Sequence, residues 1–236
     1  DRRLHCRAVP RLGAVDCTQK VAQARVLVGY DPGASCDASV VLRAYALGSS
    51  PLPHWWILRE LLTRPGNANK HAAELARLIW SCYKVEPKEV VVRCDPHTNR
   101  EDGADLDIYR EMKVAGFRCI PAVFKRNAAP AQAHRAGALL KNPRIQVVNR
   151  LLLNARGETR LYLDIDERSH PVASETAVSL EMSQRDEQGN AEMYRKGDVS
   201  DISHSTAALG YALYSYEHAR PNAPTALETE ANYGLA

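Results

Sequence analysis

Two apolar, β-branched runs in this 236-residue chain end in the same dipeptide. Arg25-Val26-Leu27-Val28-Gly29-Tyr30 stops at Asp31-Pro32-Gly33, and Glu89-Val90-Val91-Val92-Arg93 stops at Cys94-Asp95-Pro96. Proline removes a ladder donor and fixes φ, so each run is predicted to be a strand with an acid at its carboxyl end. Where two such strands are parallel neighbours, both carboxylates open into one crevice, the place where open α/β sheets put their sites. Two acids there repel unless cations separate them, and carboxylates without thiolates suit Mg²⁺ or Mn²⁺. The plainer alternative is that Asp-Pro simply starts a turn in each case.

The elements around these runs predict a mixed α/β sheet. Ala38–Leu47 and His54–Leu58 read as two further short strands parted by the turn-prone Gly48-Ser49-Ser50-Pro51, which makes an antiparallel meander with the first run. Leu75, Leu78, Ile79, Cys82 and Tyr83 recur at three- and four-residue steps, so a helix is expected there, with Asn69 as its cap and Pro87 at its end. A helix over Leu106–Ala115 and a strand over Arg118–Val123 complete a β-α-β unit and bring parallel strands to the sheet. Beyond it the pattern predicts a helix over Ala131–Leu140 and a strand over Ile145–Val148. Arg160–Ile165 and Thr176–Met182 are expected as arms of an additional β-ribbon, and a final helix over Ser203–His218. Residues 1–24 read as a linker or leading segment, 25–218 as one domain and 219–236 as a flexible tail.

Composition narrows the function classes. Hydrophobic residues at 45% and charged residues at 25% exclude a disordered tail, and six scattered cysteines without a C-x-x-C pair suggest neither a zinc ribbon nor a disulfide lattice. No apolar stretch approaches the roughly 20 residues that span a bilayer, so no membrane partner is expected. The net charge is only +3, but it is unevenly spread. Phe117 to Arg156 holds eight basic residues and no acid, a plausible phosphate-facing surface; the ordinary alternative is a solvated face balanced by the acidic stretch from Asp164 to Glu192. Within the window, Lys125, Arg126, Arg135 and Lys141 are the candidate phosphate contacts, Lys125-Arg126 foremost because they follow the strand nearest the acids.

A third acid comes late, in Asp198-Val199-Ser200-Asp201-Ile202-Ser203-His204 followed by Ser205-Thr206-Ala207-Ala208-Leu209-Gly210-Tyr211. Asp201 stands where a helix cap would, and His204 lies in the first turn. The other signals are weaker. Leu163-Asp164-Ile165-Asp166 reads as surface acids, Cys94 and His97 lack a second ligand pair for zinc, and Trp55, Trp56, Trp80 and Tyr83 read as core and edge packing.

Taken together, the Gly29-to-Gly33 motif with Asp37 downstream, the Val91-to-Pro96 motif and the Asp201-to-Tyr211 motif, in this order, resemble the nuclease domain of a tailed-phage terminase large subunit, from about Val26 to Tyr216. The resemblance implies an RNase H-like fold and a divalent-metal-dependent endodeoxyribonuclease that cuts concatemeric double-stranded DNA by a two-metal mechanism. It further implies Asp31, Asp95 and Asp201 as ligands of two Mg²⁺ or Mn²⁺ ions, His204 as a fourth catalytic residue, and ATP use confined to a motor domain preceding this one. The implied partners are the terminase small subunit and the portal protein, and the implied location is the host cytoplasm. One departure stands out: the family commonly has Asp three residues after the histidine, where this chain has Ala207. Either Asp201 takes over that role, the second metal is held weakly, or the residue has been altered. Two other readings are a RuvC-like junction resolvase and a catalytically weak DNA-gripping module of a packaging motor.

Overall fold

The computed structural model describes residues 26–33, 36–45, 52–95, 106–122, 144–153, 155–164, 172–182 and 202–217. Strands β1 (Val26–Pro32), β2 (Asp37–Tyr45), β3 (His54–Thr63), β4 (Val91–Cys94), β5 (Arg118–Pro121) and β6 (Leu161–Leu163) form one sheet in the order β5-β4-β1-β2-β3-β6. β1, β2 and β3 are an antiparallel meander, while β4 runs parallel to β1 and β5 parallel to β4. This is the meander-then-parallel order of the RNase H-like sheet that the sequence predicts, with β1 between the two halves.

Helices α1 (Ala68–Tyr83) and α2 (Leu106–Val114) cover one face; α3 (residues 144–152), α4 (Ser174–Met182) and α5 (Ile202–Glu217) cover the other. Because side chains alternate across a strand, β1 feeds both cores. Val26, Val28 and Tyr30 join Leu75, Ile79 and Met112 on the α1–α2 side, and Leu27 joins Leu151, Leu209 and Leu213 on the other. Asp31 shares the parity of Leu27 and therefore faces the α5 side.

Several expectations need correction. Ile145–Val148 is not a strand but part of α3: Val147, Val148, Leu151 and Leu152 are all buried, a four-residue repeat that a strand could not turn to one face. Nor do Arg160–Ile165 and Thr176–Met182 form a β-ribbon. The first contributes only the three-residue β6, parallel to β3, and the second is helix α4. The carboxylate of Glu60 on β3 decides α4, accepting the backbone N–H groups of Glu175 and Thr176, each at 2.8 Å, and the Thr176 hydroxyl at 2.7 Å. An acid supplied from another strand thus caps a helix that short-range pattern does not announce. Asn69 lies inside α1, with Asn67 at the cap position. The helix ends at Tyr83, where Lys84 turns left-handed, before Pro87 starts a 3₁₀ turn. Trp55 and Trp56 are core, as expected, whereas Trp80 is half exposed.

Among the described residues no helix is long and apolar enough to cross a membrane. The leading segment 1–24, the expected helix over 131–140 and the tail 219–236 lie outside the described residues.

Candidate active site

The site begins with the close packing of α5 on β1. Gly29 is what permits it: a Cβ there would fall on the Ala208 carbonyl and against the Ala212 methyl. His204, Ala208 and Ala212 recur every four residues on one helix face, a rise of about 6 Å per step, and Gly29 and Asp31 are one strand repeat apart, about 6.6 Å. With Ala208 seated on Gly29, the previous helical turn therefore carries His204 over Asp31. The result is a hydrogen bond of 2.6 Å between His204 Nδ1 and Asp31 Oδ2. Gly33 completes the seat, since a Cβ there would meet the His204 ring and the Cys36 carbonyl.

Asp95 is positioned by the parallel pairing. Tyr30 on β1 is in register with Cys94 on β4, and the Asp95 N–H donates to the Tyr30 carbonyl at 3.3 Å. Asp31 and Asp95 thus stand one step beyond the same paired residues, at equivalent ends of neighbouring strands spaced about 4.8 Å apart. A helical side chain points back toward the N-terminus of its helix, and Tyr211, seven residues after His204, reaches this end of the sheet. Its hydroxyl donates to Asp95 Oδ2 at 2.7 Å. Each of the two carboxylates is held by a side chain of the same helix.

Charge at the site is strongly conditioned by burial. Asp31 is only 6% exposed, and loss of water raises its pKa above the ordinary 3.8; the His204 hydrogen bond and the Arg144 guanidinium oppose that rise, and Asp95 adds to it. Asp37, at the start of β2 opposite Pro32, is likewise raised by burial and by Asp31, with the Tyr30 hydroxyl opposing. Burial also pushes the Tyr211 phenol well up, so it stays a donor throughout the working pH range.

Two residues of the site escape sequence reasoning. Tyr211 belongs to the late motif, where nothing in the sequence assigns it a task. Arg144 belongs to the basic window, where nothing sets it apart from its neighbours. Its guanidinium lies 4.4 Å from the centroid of the Tyr211 ring, and its stem lies across Gly210, where a Cβ would strike Cγ and Cδ of the arginine. The signal that could have found Arg144 is its place in the acid-free window close to a buried helix stripe.

Of the residues expected at the site, the structure brings together Asp31, Asp95 and His204. Asp201 and the proposed DNA contacts Lys125, Arg126, Arg135 and Lys141 lie outside the described residues. Among the described residues no group of three His, Cys, Asp or Glu side chains is arranged to hold a metal together. The donors still fit a hard cation, because Mg²⁺ is commonly held by one or two carboxylates with water and substrate phosphate completing its shell. Asp31 and Asp95 are such a pair, and the mutual repulsion that helps raise Asp31 is what a cation between them relieves.

No family model matches the chain, and no curated protein does. Among solved structures, the chain is similar to the g2p (large terminase) nuclease domain of bacteriophage SPP1 with bound Mn, at 16% identity and a TM-score of 0.43, covering 84% of this chain and 89% of that one. It is also similar to Thermus thermophilus RuvC, at 16% identity and a TM-score of 0.35 over 81% of this chain and 95% of that one. The same RuvC in complex with a Holliday junction substrate matches at 12% identity and a TM-score of 0.33, over 81% and 94% of the two chains.

Proposed function

We propose that this chain is a divalent-cation-dependent endonuclease of double-stranded DNA, the nuclease part of a phage genome-packaging terminase. The observation that carries the reading is the placement of Asp31 and Asp95 at equivalent ends of adjacent parallel strands, with His204 bonded to the first and Tyr211 to the second. Asp31 and Asp95 would hold the cation, and Asp201, from the sequence reading, would add a further oxygen donor. Two Mg²⁺ or Mn²⁺ ions bound there would lower the pKa of an attacking water and stabilise charge on the phosphate and the leaving oxygen.

The chain's own residues prepare the ground for that chemistry. His204 fixes the orientation of the Asp31 carboxylate through Oδ2, and Tyr211 does the same for Asp95, so neither acid has to be ordered when substrate arrives. Burial of Asp31 between β1 and α5 keeps bulk water from screening it. Lys125, Arg126, Arg135 and Lys141 would grip the duplex through its phosphates, which suits cutting with little sequence preference. In this reading ATP use belongs to a motor domain outside this chain, the partners are the terminase small subunit and the portal, and the place of action is the host cytoplasm.

The test is nicking of supercoiled plasmid in Mn²⁺ or Mg²⁺, with Asp31→Asn and chelator as controls. Wild-type protein should convert plasmid to open and linear forms, while Asp31→Asn, checked for an unchanged far-UV spectrum, should yield no product. Equal cutting by both proteins, or no cutting in either cation at any DNA concentration, overturns the reading. A strong preference for four-way junctions over linear duplex would replace packaging with junction resolution.

A further inference from the structure

We infer that Arg144 is the residue that grips the phosphodiester at this site, its guanidinium docking on the non-bridging oxygens of a DNA phosphate lying over Asp31 and Asp95. This rests on the nuclease reading and adds to it a substrate contact that the acids cannot supply. Three observations point to it.

The first is how the arginine is held. Its stem lies flat on Gly210 and its guanidinium over the Tyr211 ring, so the side chain is fixed along its length by two consecutive residues of α5. A guanidinium stacked on an aromatic face keeps its edge donors available, because stacking uses the plane and not the N–H groups.

The second is what it does not do. Arg144 is close enough to Asp31 to favour that carboxylate's charged form, yet among the described residues it forms no ion pair, and its Nε is buried without a hydrogen-bond acceptor. The Nε N–H is closed off against Gly210, so the donors open to a phosphate oxygen are the terminal Nη groups of the guanidinium. A purely structural arginine beside two acids would be expected to close on one of them.

The third is the platform. The ring under the guanidinium is that of Tyr211, whose hydroxyl donates to Asp95 Oδ2. One side chain therefore sets both an acid and a cation, and the two keep a fixed relation. A planar, bidentate donor in that position matches a phosphodiester in shape as well as charge, which a lysine would not.

The experiment compares wild type, Arg144→Lys, Arg144→Gln and Arg144→Ala, using the 236-residue chain. Binding to a short linear duplex is measured against salt in Ca²⁺, and single-turnover cleavage is measured in Mn²⁺ at saturating protein. Loss of the contact should lower the salt slope of binding by about one phosphate in Gln and Ala while Lys keeps it. Single-turnover cleavage should fall at least about tenfold in all three, because the Lys point charge does not restore the fork. Should Ala prove unstable on melting, Gln and Lys carry the comparison. An unchanged salt slope in Gln, or cleavage by Lys at the wild-type rate, overturns the assignment. If wild type fails to cut, the nuclease reading falls, and the salt slope alone then decides whether Arg144 holds a phosphate.

Discussion

His204 Nδ1 lies 2.6 Å from Asp31 Oδ2 although the two residues are 173 positions apart in the chain. The bond exists because Gly29 lets helix α5 settle onto β1 at Ala208, one turn beyond the histidine. Strand, helix and site are therefore coupled, and changes at one should be read at the others.

Asp31→Asn should make the metal-free protein more stable at neutral pH while removing activity. Burial holds the folded-state pKa of Asp31 above 3.8, so its contribution to stability is complete below that value and is lost as pH rises through the raised one. The amide carries no charge to desolvate. Thermal melts in chelator should show a higher Tm for the variant at pH 7.5, with the gap closing as pH falls toward 4. A variant less stable at every pH would show that the His204 bond outweighs the desolvation.

Gly29→Ala should destabilise by about 1–3 kcal/mol, the usual cost of forcing a methyl group into a filled core. The added methyl meets the Ala208 carbonyl, a backbone atom that can yield only if α5 shifts. Urea unfolding checks the energy. Plasmid nicking by the folded fraction should fall with it, because the shift carries His204 away from Asp31.

Gly33→Ala should lower both stability and activity. Its Cβ would meet the His204 ring and the Cys36 backbone carbonyl, so backbone as well as side chain has to shift. Melts should show a destabilisation of about 1–3 kcal/mol, and plasmid nicking should be lost with it because the His204 ring is pushed off Asp31. Wild-type stability with nicking intact would show that the site accommodates the methyl.

Tyr211→Phe keeps the ring under Arg144 and deletes only the hydroxyl that donates to Asp95. Hydrogen bonds to charged groups are worth roughly 1.5–3 kcal/mol, so cleavage should drop about tenfold to a hundredfold if Asp95 must be held in place for reaction. Single-turnover rates give the answer, and the salt slope of DNA binding should stay at the wild-type value.

His71 supplies an acid-sensitive brace on the face of the sheet opposite Asp31. It is fully buried on α1, its ring nitrogens bonded to Ser39 on β2 and Thr63 on β3, each at 2.7 Å. Burial lowers its pKa from 6.5 to about 4, so the stability it contributes is whole above 6.5 and is lost as pH falls through 4. On the order of 3 kcal/mol should disappear across that range. Urea titrations from pH 7 to 4 should show the loss in wild type and a flatter profile in His71→Gln.

Much of the scaffold is written locally. β1 and β4 declare themselves by apolar runs closed at Asp31-Pro32 and Asp95-Pro96, α1 by its Leu75–Ile79–Tyr83 repeat, and α5 by small residues spaced four apart after His204. These signals survive because each lies within one element and one period. What the tertiary structure alone decided is of another kind. Within residues 144–152 and Ser174–Met182 the expectation rested on short apolar stretches that suit a buried strand as well as a helix, and α4 owes its start to Glu60, more than a hundred residues earlier. Likewise, nothing near Tyr211 in the sequence says that it will donate to Asp95, 116 positions away, or that Arg144 will lie on its ring. Local order follows from the side-chain spacing of neighbours, whereas the partners of a polar group are set by which strands pair and how closely a helix can approach them.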